Sequence, residues 1–280
     1  MTVQKTWLVT GCSTGFGRHI ATHLLKCGER VVVTARNAEQ VKDLANLGDA
    51  LVLPLDVTNR EQANQVAAEA QQAFGSIDVL VNNAGIGYFA AVEETDANTA
   101  RRLFEVNLFG AANMIHAVLP GMRQHRNGMI VNLTSIGGLV GFPAVGYYCA
   151  SKFALEGLSE TLRAEVSPLG IQVMTVEPSG FRTEWAGSSA EVTNAIPDYD
   201  ATAGEARRAY HASVGKQAGD PARAAAAIHQ AVNAAQPPQR LLLGNEAFEV
   251  AATKLEAMSR EFHAWERVTR EADFPQSERS

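Results

Sequence analysis

Tyr148 and Lys152 stand four residues apart in a stretch whose pattern predicts a helix over 147–166, so their side chains share one face, a single turn apart. A free tyrosine, with a pKa near ~10, is a poor base at neutral pH, and a nearby ammonium stabilises its phenolate. The pair is therefore suited to moving a proton at an oxygen. Any Tyr and Lys at this spacing fit that description, and most such pairs are surface decoration, so their company matters. Thr134-Ser135, with Gly137-Gly138 after it, closes the apolar run MIVNLT, and Asn82-Asn83-Ala84-Gly85 closes the run IDVLVN. Both fall at carboxyl ends of expected parallel strands, the edge where open α/β sheets bind ligands.

A second constellation precedes these. Directly after the first apolar run comes Thr10-Gly11-Cys12-Ser13-Thr14-Gly15-Phe16-Gly17, and then the helical stretch RHIATHLL. Glycines in a strand-to-helix turn let the backbone bend sharply and approach a pyrophosphate, held by free N–H groups at the positive end of the helix. The spacing is GxxxGxG, which departs from the GxGxxG dinucleotide fingerprint. At the end of the second strand a cofactor with a free ribose 2′-hydroxyl would want Asp or Glu. Ala35-Arg36 stands there instead. A guanidinium can hold a 2′-phosphate bidentately, so the sequence favours NADP(H) over NAD(H).

The elements that must position these groups follow from the alternation of short β-branched runs with longer amphipathic stretches, which means βαβ units and a parallel sheet. Strands are expected at 7–10, 30–35, 50–55, 77–82, 129–134 and 171–176. Helices are expected over 15–27, 38–46, about 59–73, about 96–125 and 147–166. The strands are nearly continuous Val/Ile/Leu runs, as when helices cover both faces. After Pro178 the pattern lapses for some 40 residues, until Asp220-Pro221 opens a helix over 221–235 and RLLLG at 240–244 supplies a seventh strand. The expected fold is thus α/β, a doubly wound Rossmann sheet of seven parallel strands flanked by helices. It forms one domain over 1–270, with 184–219 as a substrate loop or lid. Residues 248–263 read as helical and 271–280 as a frayed tail. Leu103, Phe104, Val106, Leu108, Phe109, Met114 and Ile115, with Phe153, Leu155, Leu158 and Leu162, exceed what a one-sided surface helix needs. They serve either a thick core or a subunit interface.

Composition excludes several classes. A net charge of −6 and 46% hydrophobic residues suit a globular protein and argue against a nucleic-acid partner. No apolar run approaches a membrane span, and the N-terminus does not read as a signal peptide, so a cytoplasmic protein is expected. Cys12, Cys27 and Cys149 resemble neither a disulfide framework nor a zinc ribbon and are read as small, buried, reduced residues. His19 and His23 stand four apart, but no HExxH arrangement or third ligand accompanies them, so no metal is expected.

The turn Thr10–Gly17, the Asn82–Gly85 segment, Asn107, Ser135 and Tyr148-Cys149-Ala150-Ser151-Lys152, in this order and spacing, resemble the short-chain dehydrogenases/reductases. The resemblance covers about residues 5–185. Through TGFGR and YYCASKFALEGLSE it extends to the branch with 17β-hydroxysteroid and retinol dehydrogenases. It implies that Ser135 hydrogen-bonds the substrate oxygen, Tyr148 passes the proton, and Lys152 binds the nicotinamide ribose while lowering the tyrosine pKa. It further implies that Asn107 holds a water joining Lys152 to solvent and that Asp56 and Val57 lie near the adenine. Asn83, Ala84 and Gly85 would lie along the cofactor, and Thr183 near the carboxamide. Pro178-Ser179-Gly180 departs from the family's usual Pro-Gly at a backbone contact to nicotinamide. Leu139, Val140, Phe142, Val145, Trp185, Ile196 and Tyr199 flank the expected pocket and suggest a lipophilic alcohol or carbonyl substrate. A homodimer or homotetramer is implied by the resemblance. Two other readings stay open: a non-catalytic dinucleotide-binding regulator, and a nucleotide-sugar epimerase or dehydratase, which can use the same Tyr-Lys pair.

Overall fold

The computed structural model describes residues 4–275, and residues 276–280 of the expected tail lie outside the described residues. The chain opens with β1 (Thr6–Val9), α1 (Gly15–Lys26), β2 (Arg30–Ala35), a 3-10 stretch over Ala38–Leu47, β3 (Ala50–Pro54), α2 (Arg60–Phe74) and β4 (Val79–Asn82). The segment expected as a helix over 38–46 is therefore wound in 3-10 turns. Asn37 caps it by accepting from the Glu39 N–H, and the tight turns bury only Val41 and Leu44.

A two-residue strand, β5 (Tyr88–Phe89), precedes α3 (Ala97–Phe104), a π-helical turn over Glu105–Phe109, and α4 (Gly110–His125). Then come β6 (Gly128–Leu133), a 3-10 turn at Ile136–Gly138, α5 (Gly146–Val166) and β7 (Ile171–Pro178). The stretch without sequence pattern holds α6 (Trp185–Ser188), β8 (Ala190–Glu191), a second π turn at Asp200–Gly204 and α7 (Glu205–Ala212). The chain returns through α8 (Pro221–Val232), β9 (Arg240–Leu243), α9 (Asn245–Ala264) and α10 (Glu266–Glu271). The helix expected over 221–235 stops at Val232, where the Asn233 N–H caps back to the His229 carbonyl.

Seven strands pair in parallel in the order β3-β2-β1-β4-β6-β7-β9. From β1 the chain winds outward to β3 and then reverses to place β4 on the other side of β1. The carboxyl ends of β1 and β4 thus frame the switch-point crevice of a doubly wound sheet. Side chains alternate between two cores. Trp7, Val9, Val31, Val33, Val81, Met174 and Val176 pack beneath α1 and α8, and Leu8, Val32, Leu80, Ile130 and Val173 beneath α2, α4 and α5. Truncating a side chain such as Leu80, wholly buried, to alanine would cost about 2–5 kcal/mol. Leu103 and Leu155 are buried, and Val106, Met114, Ile115 and Leu162 enter this second core. Phe109 and Phe153 do not, being 50% and 44% exposed.

The excursion after β7 is pinned at its base. Phe181 bridges Gly219 in parallel, the Arg182 N–H donates to the Gly219 carbonyl at 3.0 Å, and the Gly219 N–H donates to the Gly180 carbonyl at 3.1 Å. Cys12 and Cys149 are buried as expected, but Cys27 is exposed. It caps the C-terminal end of α1, beyond the face that packs on the sheet.

Candidate active site

The turn after β1 is shaped by contacts that forbid side chains. Gly11 has φ +70°, and a Cβ on Gly17 would fall 2.3 Å from the Gly11 carbonyl oxygen and 2.4 Å from Asn83 Nδ2. The opposite wall is a lattice of hydrogen bonds from the end of β4. Asn83 Nδ2 donates to the carbonyls of Thr10 (2.7 Å) and Gly11 (3.0 Å), while Thr10 Oγ1 accepts from the Asn83 (2.9 Å) and Ala84 (3.0 Å) N–H groups. Asn83 and Ala84 therefore brace the turn with the groups the sequence assigned to a ligand. Thr10 does this bracing too, a role its place in the motif did not reveal.

The helix beyond is left open. Asn59, Asp96 and Asp220 cap α2, α3 and α8 with side-chain oxygens, whereas Thr14 makes no side-chain cap to α1, whose first turn holds no acidic residue. The free N–H groups of α1 and the positive end of its dipole thus meet the crevice unneutralised. Ser13 and Thr14 keep their hydroxyls free of hydrogen bonds to described residues. Phe16 turns its ring away, 5.0 Å from the ring of Phe181. Thr183 folds over the turn, with its Cβ 3.5 Å from where a Cβ on Gly15 would lie.

Arg36 is exposed where β2 ends and makes no side-chain hydrogen bond or ion pair with a described residue. Asp56, after β3, accepts from the Thr58 N–H (3.0 Å) and hydroxyl (2.7 Å). Burial raises its carboxyl, but these bonds and the charges of Arg102 and Arg36 prevail and hold it below its ordinary range. Val57 behaves differently from its neighbour: its side chain packs against Gly110 and its carbonyl accepts from Asn113 Nδ2 at 3.0 Å. It therefore helps seat α4.

At the carboxyl ends of β4 and β6, Ser135, Tyr148 and Lys152 converge. Ser135 Oγ accepts from the Gly137 N–H at 3.0 Å and hydrogen-bonds Tyr148. Burial pushes the Tyr148 phenol well above its ordinary value, against the lowering effect of Ser135. Lys152 is buried, donates to the Leu133 carbonyl at 2.9 Å, and holds its ammonium 5.6 Å from the centre of the Tyr148 ring. Burial pushes its pKa down to about 8, with Glu156 acting the other way. A Cβ on Gly85 would stand 3.3 Å from Asn107 Oδ1 and 3.6 Å from Lys152 Nζ, so the bare glycine keeps the approach between them open.

Asn107 owes its place to the π turn that interrupts the long α3–α4 helix. Such a turn rotates the residues after it relative to a continuous α-helix and recurs at functional sites. Asn107 accepts from the Ile86 N–H (2.8 Å) and donates to the Ile86 carbonyl (3.0 Å) and to Ser151 Oγ (3.0 Å). Ser151 donates in turn to the Tyr148 carbonyl at 2.7 Å. A serine on the turn of helix between Tyr148 and Lys152 was the available signal for that link. Beneath it, Asn82 donates to Asn132 Oδ1 (2.9 Å) and Asn132 to Ser159 Oγ (2.8 Å), tying β4, β6 and α5 together.

The excursion supplies the roof. Trp185 lies 4.8 Å from Tyr148 and 5.5 Å from Phe89, and Phe89 is 5.2 Å from Tyr210, all between ring centres. Phe142 and Val145 join this cluster, Tyr199 packs with Ala91, Ala144 and Ala203, and the Ile196 N–H donates to Glu94 at 2.7 Å. Leu139 leaves the expected pocket and packs with Ile136, Ala247 and Ala251 beside α9. Val140 closes the same turn, its N–H donating to the Ile136 carbonyl at 3.0 Å. Pro178 and Ser179 lie beside β9, where the Ser179 N–H donates to the Leu243 carbonyl at 3.0 Å. Gly180 accepts at the base of the excursion, so this segment anchors the roof.

Residues 5–193 match the short chain dehydrogenase family. The oxidoreductase BOA17 of Botryotinia fuckeliana is 37% identical over 270 residues, covering 95% of this chain and 98% of that protein. A 3-ketodihydrosphingosine reductase of Bacteroides thetaiotaomicron is 40% identical over 194 residues, covering 69% of this chain and 70% of its own. Human retinol dehydrogenase 8 is 38% identical over 192 residues, covering 65% and 61%. Among solved structures, a short-chain dehydrogenase from Streptomyces avermitilis superposes with a TM-score of 0.90 at 42% identity, covering 98% of this chain and 100% of that one. One from Burkholderia phymatum in complex with NAD has a TM-score of 0.78 at 26% identity, covering 97% of each chain. One from Burkholderia cenocepacia in complex with NADP has a TM-score of 0.74 at 27% identity, covering 94% and 98%. With the match over residues 5–193 and the sheet carrying the site at its switch point, this chain belongs to the short-chain dehydrogenase family of oxidoreductases and is similar to its retinol dehydrogenase branch.

Proposed function

We propose that the chain is an NADP(H)-dependent oxidoreductase that interconverts an alcohol and a carbonyl on a lipophilic substrate, with Tyr148 as the acid/base. The observation that carries this reading is the grouping of Ser135, Tyr148 and Lys152 at the carboxyl edge of the sheet, beside the uncapped start of α1.

The residues present fit a dinucleotide. The glycine turn is a cradle that a Cβ would fill, the α1 N–H groups suit a pyrophosphate, and Lys152 has N–H groups beyond the one given to Leu133 for ribose hydroxyls. The free guanidinium of Arg36 suits a 2′-phosphate. Relatives in this family bind NAD or NADP by their descriptions, and Arg36 is what favours NADP(H) here. When bound, the dinucleotide supplies or accepts the hydride at the substrate carbon.

The side chains handle the oxygen. A phenol raised by burial keeps its proton at neutral pH and is ready to give it to a carbonyl oxygen gaining negative charge. Ser135 donates a second hydrogen bond to that oxygen, stabilising the charge as it forms. The Lys152 ammonium, close to the ring, stabilises the phenolate that remains. Trp185 and Phe142 pack with Tyr148 in an apolar cluster, and a cavity of about 230 Å³ lined by Ala91, Val92, Ala144, Tyr199 and Ala203 adjoins that cluster through Phe142. Such linings suit a lipophilic carbonyl, the class to which the names of the sphingosine and retinol relatives also point. Among the described residues no helix is long and apolar enough to cross a membrane. Phe109 and Phe153, left exposed on neighbouring helices, support assembly into a homodimer or homotetramer.

The test is NADPH consumption, beside NADH, against a panel of aliphatic, aromatic, steroid and retinoid carbonyls, with Tyr148→Phe in parallel. NADPH-preferring turnover that the variant loses supports the proposal. NADPH binding without turnover on any substrate would favour a regulator, and preference for NADH would overturn the role given to Arg36.

A further inference from the structure

Far from the catalytic edge, His23, Cys27 and His229 bring three ligand atoms within 4.8 Å of one another. His23 and Cys27 lie one turn apart at the end of α1, and His229 occupies the last turn of α8. His23 Nε2 is 3.2 Å from His229 Nδ1 and 3.5 Å from Cys27 Sγ. A tetrahedral zinc ion with Zn–N near 2.05 Å and Zn–S near 2.3 Å needs N···N and N···S edges of about 3.3 and 3.6 Å. Both measured edges match these values, and the remaining pair, Cys27 Sγ and the His229 ring, lies within 4.8 Å.

The surroundings select the donor atoms. Glu29 Oε1 lies 3.2 Å from His229 Nε2, while Oε2 accepts from the Lys5 N–H at 2.6 Å. A carboxylate only accepts, so His229 carries its proton on Nε2 and turns the Nδ1 lone pair into the cluster. This is the carboxylate–histidine arrangement that orients and strengthens metal ligands. His23 Nε2 then faces that lone pair on one side and the Cys27 sulfur on the other. A single proton on His23 can serve only one of them, whereas a cation satisfies all three donors. Two helix C-termini converge here as well, and their partial negative charge favours a cation. His19, the partner the sequence suggested for His23, is exposed and contributes nothing to the cluster.

We propose that His23 Nε2, Cys27 Sγ and His229 Nδ1 bind one thiophilic divalent cation, zinc by its donor set, with water in the fourth position and Glu29 as the supporting carboxylate. On binding, the Cys27 thiol gives its proton to solvent and ligates as thiolate. The ion clasps the ends of α1 and α8. Twelve residues of α1, about 18 Å of helix, separate it from the phosphate-binding turn, so its role is to stabilise the fold.

The test is titration of chelator-treated, dinucleotide-free protein with Co(II), then with Zn(II). The expected result is one equivalent of cobalt with a thiolate charge-transfer band in the near ultraviolet and tetrahedral bands in the visible, all displaced by zinc. Cys27→Ser, an exposed substitution, removes the charge-transfer band, and Glu29→Gln weakens zinc binding about 10- to 100-fold. Zinc also raises the melting temperature of the parent and leaves that of Cys27→Ser unchanged. Absence of the band in the parent, or its persistence in Cys27→Ser, overturns the proposal, and neither result bears on the oxidoreductase reading.

Discussion

Around the phosphate-binding turn, position is set by hydrogen bonds between the side chains of Thr10 and Asn83 and the backbone facing them. Thr10, Gly11 and Asn83 exchange short hydrogen bonds across β1 and β4, and the Gly11–Gly17 contact leaves no space for even a methyl group. The excursion between β7 and α8 meets Tyr148 through Trp185 on a four-residue helix and continues through a two-residue strand, a π turn and the eight-residue α7. It is held by rings, Trp185 on Tyr148 and Phe89 on Tyr210, and by tethers to Glu93 and Glu94. A hydrogen bond is steeply directional, while the hydrophobic part of ring packing is not. The difference teaches that directional bonds fix the turn while packing holds the excursion.

The comparison is tested most severely where the halves meet. Tyr148→Phe should lower kcat by about 10²- to 10⁴-fold in steady-state assays, with NADPH binding and melting temperature retained. A variant that kept its activity would move the chemistry elsewhere. Gly17→Ala should cost about 1–3 kcal/mol of stability from overpacking and abolish dinucleotide binding, measured by denaturant titration and calorimetry. Unchanged binding would show the turn to be less rigid than its contacts imply. Arg36→Leu should weaken NADPH about 10- to 100-fold, the worth of a lost charged hydrogen bond, and leave NADH binding unaltered. On the adaptable side, Trp185→Ala should shift KM across a substrate panel by about 3- to 10-fold, the scale of one aromatic contact. Dinucleotide affinity should not change. Uniform loss of both would join the roof to the rigid half.

The smallest effect concerns the scaffold from which the roof departs. Glu177, on β7 just before Pro178, is pushed up from 4.5 to about 7 by burial and by the nearby Glu156 charge, against the help of Thr175 and Arg240. In the folded state it keeps a proton that the unfolded chain releases. Its contribution is therefore full below about pH 4.5 and is lost as pH rises through about 7, with a slope below about 1.4 kcal/mol per pH unit. The melting temperature should fall between about pH 4.5 and 7 and level off above, and Glu177→Gln should flatten that slope. A slope unchanged in the variant would assign it to another group.

Legibility in the sequence divides along the same line. Continuous Val/Ile/Leu runs between amphipathic stretches announced a parallel sheet, and Thr10–Gly17, Asn82–Gly85, Ser135, Tyr148 and Lys152 each follow a strand or share a helix face, so local pattern located them. Local pattern missed the 3-10 winding at Ala38–Leu47 because the apolar spacing there suits either helix. It also misread Cys27 as buried, since a helix-end residue can face either way.

The sequence by itself determined the strand-and-helix alternation, the order of the motifs and the pairing of Tyr148 with Lys152, because each rests on residues within a turn or two of one another. Only the tertiary structure decided that Asn83 braces Gly11, that Trp185 covers Tyr148, that Leu139 turns towards α9, and that His229 meets His23 and Cys27. These contacts join segments far apart in the chain, and no periodicity records them. They are fixed by how the helices and the excursion dock on the sheet, which depends on side-chain volume and hydrogen-bond satisfaction summed over the whole core.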